Sequence, residues 1–396
     1  MRIAFITKYP PIQGGTSSRA YWLIRGLAKK GMKIKVITNS WETEKEYRIK
    51  LPIEYFEGYK PKNVEIFSTN PFDNPKYIPY SNPYLAKLSS LSLDVVRDND
   101  VDLIDTWYLL PYSIAGYINK TITGKKFIVR HAGSDMTRLL EYPYLTSLFA
   151  EVFRSADKIV THQGMENKFK EFGVRSKQLH AINKWGVDIS AFNPKAKPID
   201  IVDKSSGYDK KKPTICYIGK AERDKGVFDL IDALGEIKNT DFNLLLVTSS
   251  NKEKLNERLR YRKLDKVTTY LDYVPPWIIP RVIKSATCVV AAEHDFPVPI
   301  HNPVLPREVM ATGTCLAIST DLCKKMPYSM LTDEQAMIFD PRDKHSFVKI
   351  LSSAMNDSKN TKRLGVAGRK FSENYEKFDE FVNENIRIYK EMIDNA

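Results

Sequence analysis

The sequence predicts an α/β protein made of two doubly wound parallel-sheet domains that face one another across a central cleft. Three observations predict it. The chain has 396 residues, enough for two domains that each bury a core. Short β-branched runs alternate with amphipathic helical patterns from one end to the other. One stretch, residues 193–213, breaks that rhythm and divides the chain.

In the first part, strands are expected at 3–7, 33–38, 64–67, 102–106, 126–130, 158–161 and 179–183. The helix expected at 16–30 puts Tyr21, Ile24, Leu27 and Ala28 on one face, with Arg and Lys on the other. Further helices are expected at 111–119, 145–155 and 164–172. Strands that are apolar on both faces, separated by helices, indicate a parallel sheet covered on both sides. The interruption holds Pro194, Pro198, a Ser-Ser-Gly triplet and three consecutive lysines, which is a linker composition. The domains are therefore expected at 1–195 and 214–375, with a linker at 196–213. After it, strands are expected at 214–219, 243–248, 287–292, 315–319 and 337–339. Helices are expected at 227–238, 252–261, 280–284, 305–311 and 344–355, and two more, 361–375 and 378–393, close the chain.

Composition narrows the class. Apolar residues make up 42% and charged residues 28%, a globular balance and not a disordered one. The formal net charge of +13 is uneven: residues 1–200 carry 30 Lys and Arg against 20 Asp and Glu, and residues 201–396 carry 31 against 28. The basic first half would attract phosphates, nucleic acid or acidic lipid headgroups, unless it is simply a solvated lysine-rich surface. Four cysteines, none in a CxxC pair, read as small buried hydrophobes in a reducing compartment, and no metal site is expected. The apolar stretch near the start is too short for a secretory signal, and no run suits a membrane span. A cytoplasmic protein is expected, with at most a peripheral contact to the inner membrane face.

Four segments carry chemistry. Pro10-Pro11-Ile12-Gln13-Gly14-Gly15-Thr16 joins the first strand to the first helix. Ligands of open α/β sheets bind beyond the carboxyl ends of strands, and paired glycines there let backbone approach a ligand at an anion-favouring helix start. The pattern is not GxGxxG, and the glycines could equally just turn the chain. Gly219-Lys220-Ala221-Glu222-Arg223-Asp224-Lys225-Gly226 again links strand to helix, with two lysines able to converge on a pyrophosphate. Leu305-Pro306-Arg307-Glu308 opens a helix that ends at Gly313. Glu308 could accept two ribose hydroxyls, or only favour the helix dipole. Arg130-His131-Ala132-Gly133-Ser134-Asp135 places a histidine at a strand end, where it could hold a reacting group or serve the core.

The order of these pieces resembles the retaining glycosyltransferases of family 4, nearly end to end. The glycine loop followed by RAYWLIRGLAKKGMKIKVIT looks like that family's opening. VDLIDTWYLLPYSIAG and IVRHAGSDM resemble its next ligand-facing strands. NKWGVDISAFNP is similar to its signature before the linker, YIGKAERDKGVFDLIDAL to its donor-phosphate loop, and PREVMATGTCLAIS to its ribose-binding segment.

The resemblance implies a GT-B fold of two Rossmann-like domains and hexosyl transfer from a nucleotide-diphosphate sugar to a glycan or lipid-linked acceptor. It implies no cofactor and no metal. Gly14 and Gly15 would face the donor diphosphate, and Lys220 and Lys225 would neutralise it as it leaves. Glu308 would hold the ribose, with Gly219 and Leu305 beside the donor. His131 would contact the donor sugar. A final helix, about 376–396, would return to the first domain. One departure stands out: the family has a second glutamate, seven residues lying between it and the ribose-binding one, and that place here is Ile300. Glu293, Asp295 or His301 could substitute, and the sequence does not choose among them.

The alternatives are a sugar-nucleotide epimerase of related fold and a catalytically silent partner subunit, the latter motivated by the missing glutamate. Nucleic-acid binding is disfavoured, because the basic residues lack interleaved stacking aromatics. The basic first half and the Leu-, Tyr- and Phe-rich segment 139–153 raise a peripheral membrane contact, against the plainer reading of a core helix.

Overall fold

The computed structural model describes residues 1–71, 83–162, 164–182, 186–200, 207–239, 241–298, 302–325 and 327–394. The chain divides into two compact units, Met1–Gly186 with Lys377–Ala396, and Val187–Glu376.

The first unit is built on seven strands: β1 (Arg2–Thr7), β2 (Lys33–Thr38), β3 (Val64–Ser68), β4 (Leu103–Trp107), β5 (Lys126–Arg130), β6 (Lys158–Thr161) and β7 (Leu179–Ala181). They pair in the order β3-β2-β1-β4-β5-β6-β7, every neighbour parallel, with Ile3 opposite both Ile34 and Leu103. The central strands are buried along almost their whole length because helices cover both faces. Those helices are α1 (Gly15–Lys29), α2 (Phe56–Tyr59), α3 (Tyr84–Asp98), α4 (Ile114–Thr123), α5 (Pro143–Ser155) and α6 (Glu166–Glu171).

Helix α3 has no counterpart in the sequence reading. Its buried face, Leu88, Ser89, Ser92, Val95 and Val96, includes two serines, so the apolar stripe is diluted at positions that pack inward. The expected helix at 111–119 begins later, at Ile114, after a wide turn over Leu109–Ser113.

The second unit has β8 (Thr214–Ile218), β9 (Asn243–Val247), β10 (Thr268–Leu271), β11 (Cys288–Ala291), β12 (Cys315–Ser319) and β13 (Met337–Phe339). Their order is β10-β9-β8-β11-β12-β13, again all parallel. Its helices are α7 (Val227–Leu234), α8 (Lys252–Tyr261), α9 (Ile279–Lys284), α10 (Leu305–Ala311), α11 (Lys344–Asn356) and α12 (Ser358–Tyr375). Strand β10 was not expected: Thr268-Thr269-Tyr270-Leu271 lies on the sheet edge, where one partner suffices and no apolar run is needed. Ile215, Leu244, Leu246, Val290 and Ala317 form the core under α7 and α11.

The closing helix, α13 (Phe378–Asp394), belongs to the first unit. Phe381, Val382, Asn385, Ile388, Tyr389 and Met392 form its buried face. Tyr389 donates a 2.8 Å hydrogen bond to Asp105, which Arg130 also holds at 2.8 Å, and all three side chains are fully buried. Such a pair is tolerated only when the partners satisfy one another. Among the described residues, no helix is long and apolar enough to cross a membrane.

Candidate functional site

In the second unit the chain starts on β8, winds outward to β10, and crosses to β11 on the other side of β8. The crevice beyond the carboxyl ends of β8 and β11 is the switch point at which open α/β sheets bind ligands. Two loops meet there. The loop after β8 carries Gly219, Lys220 and Lys225 and ends at Gly226, which has φ of 72°. A Cβ at Gly226 would lie 2.2 Å from the carbonyl oxygen of Ala292, so both backbone angle and space require glycine. That close approach seats the loop on the segment after β11, and the amide of His294 donates to the carbonyl of Asp224 at 3.1 Å.

The result is a charged cluster. The Lys225 ammonium lies 2.5 Å from one carboxylate oxygen of Glu293, and the Lys325 ammonium lies 3.5 Å from the other. Lys225 also sits 3.4 Å from the ring centre of Phe296, a cation–π contact on its other side. Burial pushes the Lys225 ammonium below the usual lysine range, and the Glu293 carboxylate opposes that shift. The Ser319 hydroxyl donates to the Glu293 carbonyl at 2.5 Å, tying the end of β12 to the same segment.

The other expected residues of this unit are placed differently. Lys220 is half exposed, 4.0 Å from the Glu222 carboxylate, and its carbonyl accepts from the Tyr217 hydroxyl at 2.7 Å. Gly219 offers its carbonyl to Tyr273 at 3.3 Å. Glu308 is buried in the first turn of α10, where Pro306 fixes the start and Leu305 is half-buried. The neighbouring Arg307 forks onto Glu376, and Glu376 accepts from the amide of Val187 at 2.7 Å. Asp295 faces away from the lysine cluster into a second one, with Arg342 at 3.2 Å, the His294 ring at 2.8 Å, and its own amide on Asp321 at 3.0 Å. His301 lies outside the described residues.

In the first unit the equivalent switch point is beyond β1 and β4. Gly14 has φ of 114°, and a Cβ on either Gly14 or Gly15 would meet nothing within 4 Å. The Lys8 ammonium lies 3.7 Å over the ring of Tyr108, which sits at φ of 87° directly after β4. A bulky residue held at that backbone angle is strained. His131 follows β5 and is buried. One of its ring nitrogens is 2.8 Å from the Thr161 hydroxyl, and the ring meets His162 edge-on at 5.3 Å. Burial, aided by His162, lowers its pKa to about 3, and burial lowers that of His162 to about 4. Both imidazoles are neutral near pH 7, fit for hydrogen bonding and not for carrying charge. Asp135 accepts three backbone amides, from Leu109, Ala132 and Met136 at 2.8–3.1 Å, and so pins the loops after β4 and β5 to each other.

Lys325, His162 and Asp135 were not singled out from the sequence. His162 directly follows β6 as His131 follows β5, which was a readable signal. Lys325 gave only a Lys-Lys pair after a strand. Among the described residues, no three His, Cys, Asp or Glu side chains gather so as to hold a metal ion.

Together, two doubly wound parallel sheets, each with its switch point furnished by a strand-to-helix loop, match the GT-B architecture of glycosyltransferases. Residues 199–371 match the model of the family described as glycosyl transferases group 1. A curated relative, the N-acetyl-alpha-D-glucosaminyl L-malate synthase of Bacillus anthracis, is 24% identical over 249 residues, 61% of this chain. The match spans 60% of that synthase's length. The fold is also similar to sucrose-phosphate synthase from Thermosynechococcus elongatus (TM-score 0.67, 15% identity, all of both chains). It is similar as well to HepE from Anabaena in complex with UDP and glucose (TM-score 0.66, 15% identity, 98% of each chain).

Proposed function

We propose that this protein is a retaining, family 4-type glycosyltransferase that moves a hexosyl unit from a nucleotide-diphosphate sugar to a hydroxyl of a glycan or lipid-linked acceptor. The observation that carries the reading is the lysine cluster at the β8–β11 switch point, inside the segment that matches the group 1 family. A diphosphate leaving group needs its developing charge offset where it forms, and fixed ammonium groups on a rigid loop do this without reorganisation. The HepE structure holds UDP and glucose, and the synthase relative is named for a glucosaminyl conjugate, which supports a nucleotide-sugar donor.

In this reading Lys225 and Lys220 stabilise the departing diphosphate, Gly219 and Leu305 line the donor, and Glu308 receives the ribose hydroxyls. The sugar's bond to phosphate breaks, its bond to the acceptor oxygen forms on the same face, and the acceptor's proton passes to the phosphate. His131, neutral and held by Thr161, serves as a hydrogen-bonding contact to the sugar, and Gly14 and Gly15 leave room for the diphosphate. Glu293 and Asp295 are the described carboxylates nearest in sequence to the missing glutamate, with His301 the third candidate. No cofactor enters the reaction. The setting proposed is cytoplasmic, with a peripheral membrane contact through the basic first half.

The test is release of nucleoside diphosphate from a panel of nucleotide sugars, with and without candidate acceptors. Release that depends on an acceptor supports transfer. Conversion of the donor to an isomer without any acceptor would instead establish an epimerase, and donor binding with no turnover across the panel a silent subunit.

A further inference from the structure

Three loops, following β8, β11 and β12, converge at the second unit's switch point, and Lys225, Glu293 and Lys325, one from each, form a single ion-pair cluster. Glu293 is nearly fully buried, and the two lysine side chains are 17% and 24% exposed. A buried carboxylate bridging two ammonium groups, one on each oxygen, has the charge pattern of a phosphate bridging two lysines. The bridge is held from behind. Ser319 fixes the Glu293 carbonyl, Asp321 takes the amide of Asp295, and Gly226 lets Ala292 approach. Both lysines are therefore preset around one anionic position.

We infer that Lys325 is a further phosphate-binding residue of this site, and that Glu293 is a resident counter-anion which the donor's diphosphate displaces. This rests on the reading of the second unit as a nucleotide-sugar site and adds to it a residue and an exchange. Without a diphosphate, Glu293 holds both ammonium groups, one on each carboxylate oxygen. With one, the phosphate oxygens take over Lys225 and Lys325, and the carboxylate turns away from them. The exchange makes affinity depend on Glu293 in the opposite sense from Lys325. Removing the lysine removes a ligand for phosphate, and removing the carboxylate removes a competitor.

The experiment is calorimetric titration of the full chain with inorganic pyrophosphate, with UDP, GDP and ADP, and with uridine as a phosphate-free control. Wild type, Lys225→Ala, Lys325→Gln and Glu293→Gln are compared, and circular dichroism confirms each fold. Lys325→Gln is expected to weaken pyrophosphate and diphosphate binding about tenfold and leave any uridine binding unchanged, as loss of one charge-assisted hydrogen bond implies. Glu293→Gln is expected to tighten pyrophosphate several-fold. Unchanged affinity in Lys325→Gln, or weaker binding in Glu293→Gln, overturns the inference. If Lys225→Ala still abolishes binding in that case, the donor-site reading stands alone. Should wild type bind none of the phosphates, both fall. If Glu293→Gln does not fold, the Lys325 variant, its side chain only 24% exposed, decides the matter by itself.

Discussion

In both units the chain begins on the central strand, builds outward to one edge and then crosses back, so β1 and β8 occupy equivalent places and each runs through a loop into a helix. The loops differ in everything else. After β1, Gly14 and Gly15 stand clear of other atoms, and the histidines farther along the sheet edge are neutral. After β8, Gly226 is wedged against Ala292, and Lys225 is clasped by Glu293 and Phe296. Winding thus sets where a ligand meets the sheet. Local packing decides whether that place is an open backbone surface or a preset charge.

Removing the preset charge affects the second unit most strongly. Lys225→Ala is expected to lower kcat/KM for the donor about a thousandfold, the loss seen when a fixed transition-state donor is removed. Initial rates at low donor concentration measure it. A loss confined to KM would mean that the lysine binds the ground state equally well.

A second comparison sets glycine against glycine. Gly226→Ala is expected to cost about 3 kcal/mol of stability, because a left-handed backbone and a carbonyl overlap must both be relieved. Gly14→Ala, with open space around it, is expected to cost about 1 kcal/mol from backbone conformation alone. Urea unfolding of the two variants checks the order, and equal costs would remove the contrast between wedged and open loops.

The third concerns pH. His131 and His162 have folded pKa values of about 3 and about 4, below the value near 6.5 of an unfolded histidine. Unfolded chains therefore take up protons that the folded unit refuses. Their stabilisation is complete above about pH 6.5 and falls as the pH drops toward the folded values, each histidine contributing a slope of about 1.4 kcal/mol per pH unit. His131→Gln, which keeps a partner for Thr161, is expected to halve that joint slope between pH 6 and pH 5 in chemical denaturation. An unchanged slope would show that the ring is protonated in the folded state.

The smallest effect is at the surface. Tyr142 and Tyr144, 63% and 92% exposed before and within the start of α5, are expected to weaken retention on anionic vesicles when both are changed to Ser, by about threefold. No retention of the wild type at low salt would remove the membrane contact.

Much of the fold was legible in the sequence, because parallel strands covered on both faces are written as largely apolar runs such as NLLLV and CVVA. What escaped was short or diluted: β10 on an edge, and α3 with serines on its buried face. The loops that carry the candidate residues were legible too, from glycines and lysines between strand and helix. The charge pairing was not. Lys225, Glu293 and Lys325 are brought together by three successive strands of one sheet, and nothing in the local sequence around Glu293 says that it faces lysines from the strands on either side.

The claim on which the rest depends is that the second unit's switch point holds the donor's diphosphate. A crystal structure of the full chain with a bound nucleoside diphosphate tests it most directly. Phosphate oxygens are expected beyond the carboxyl ends of β8 and β11, about 2.7–3.2 Å from the Lys225 ammonium. A diphosphate seated elsewhere, with Lys225 still clasped to Glu293, would contradict it.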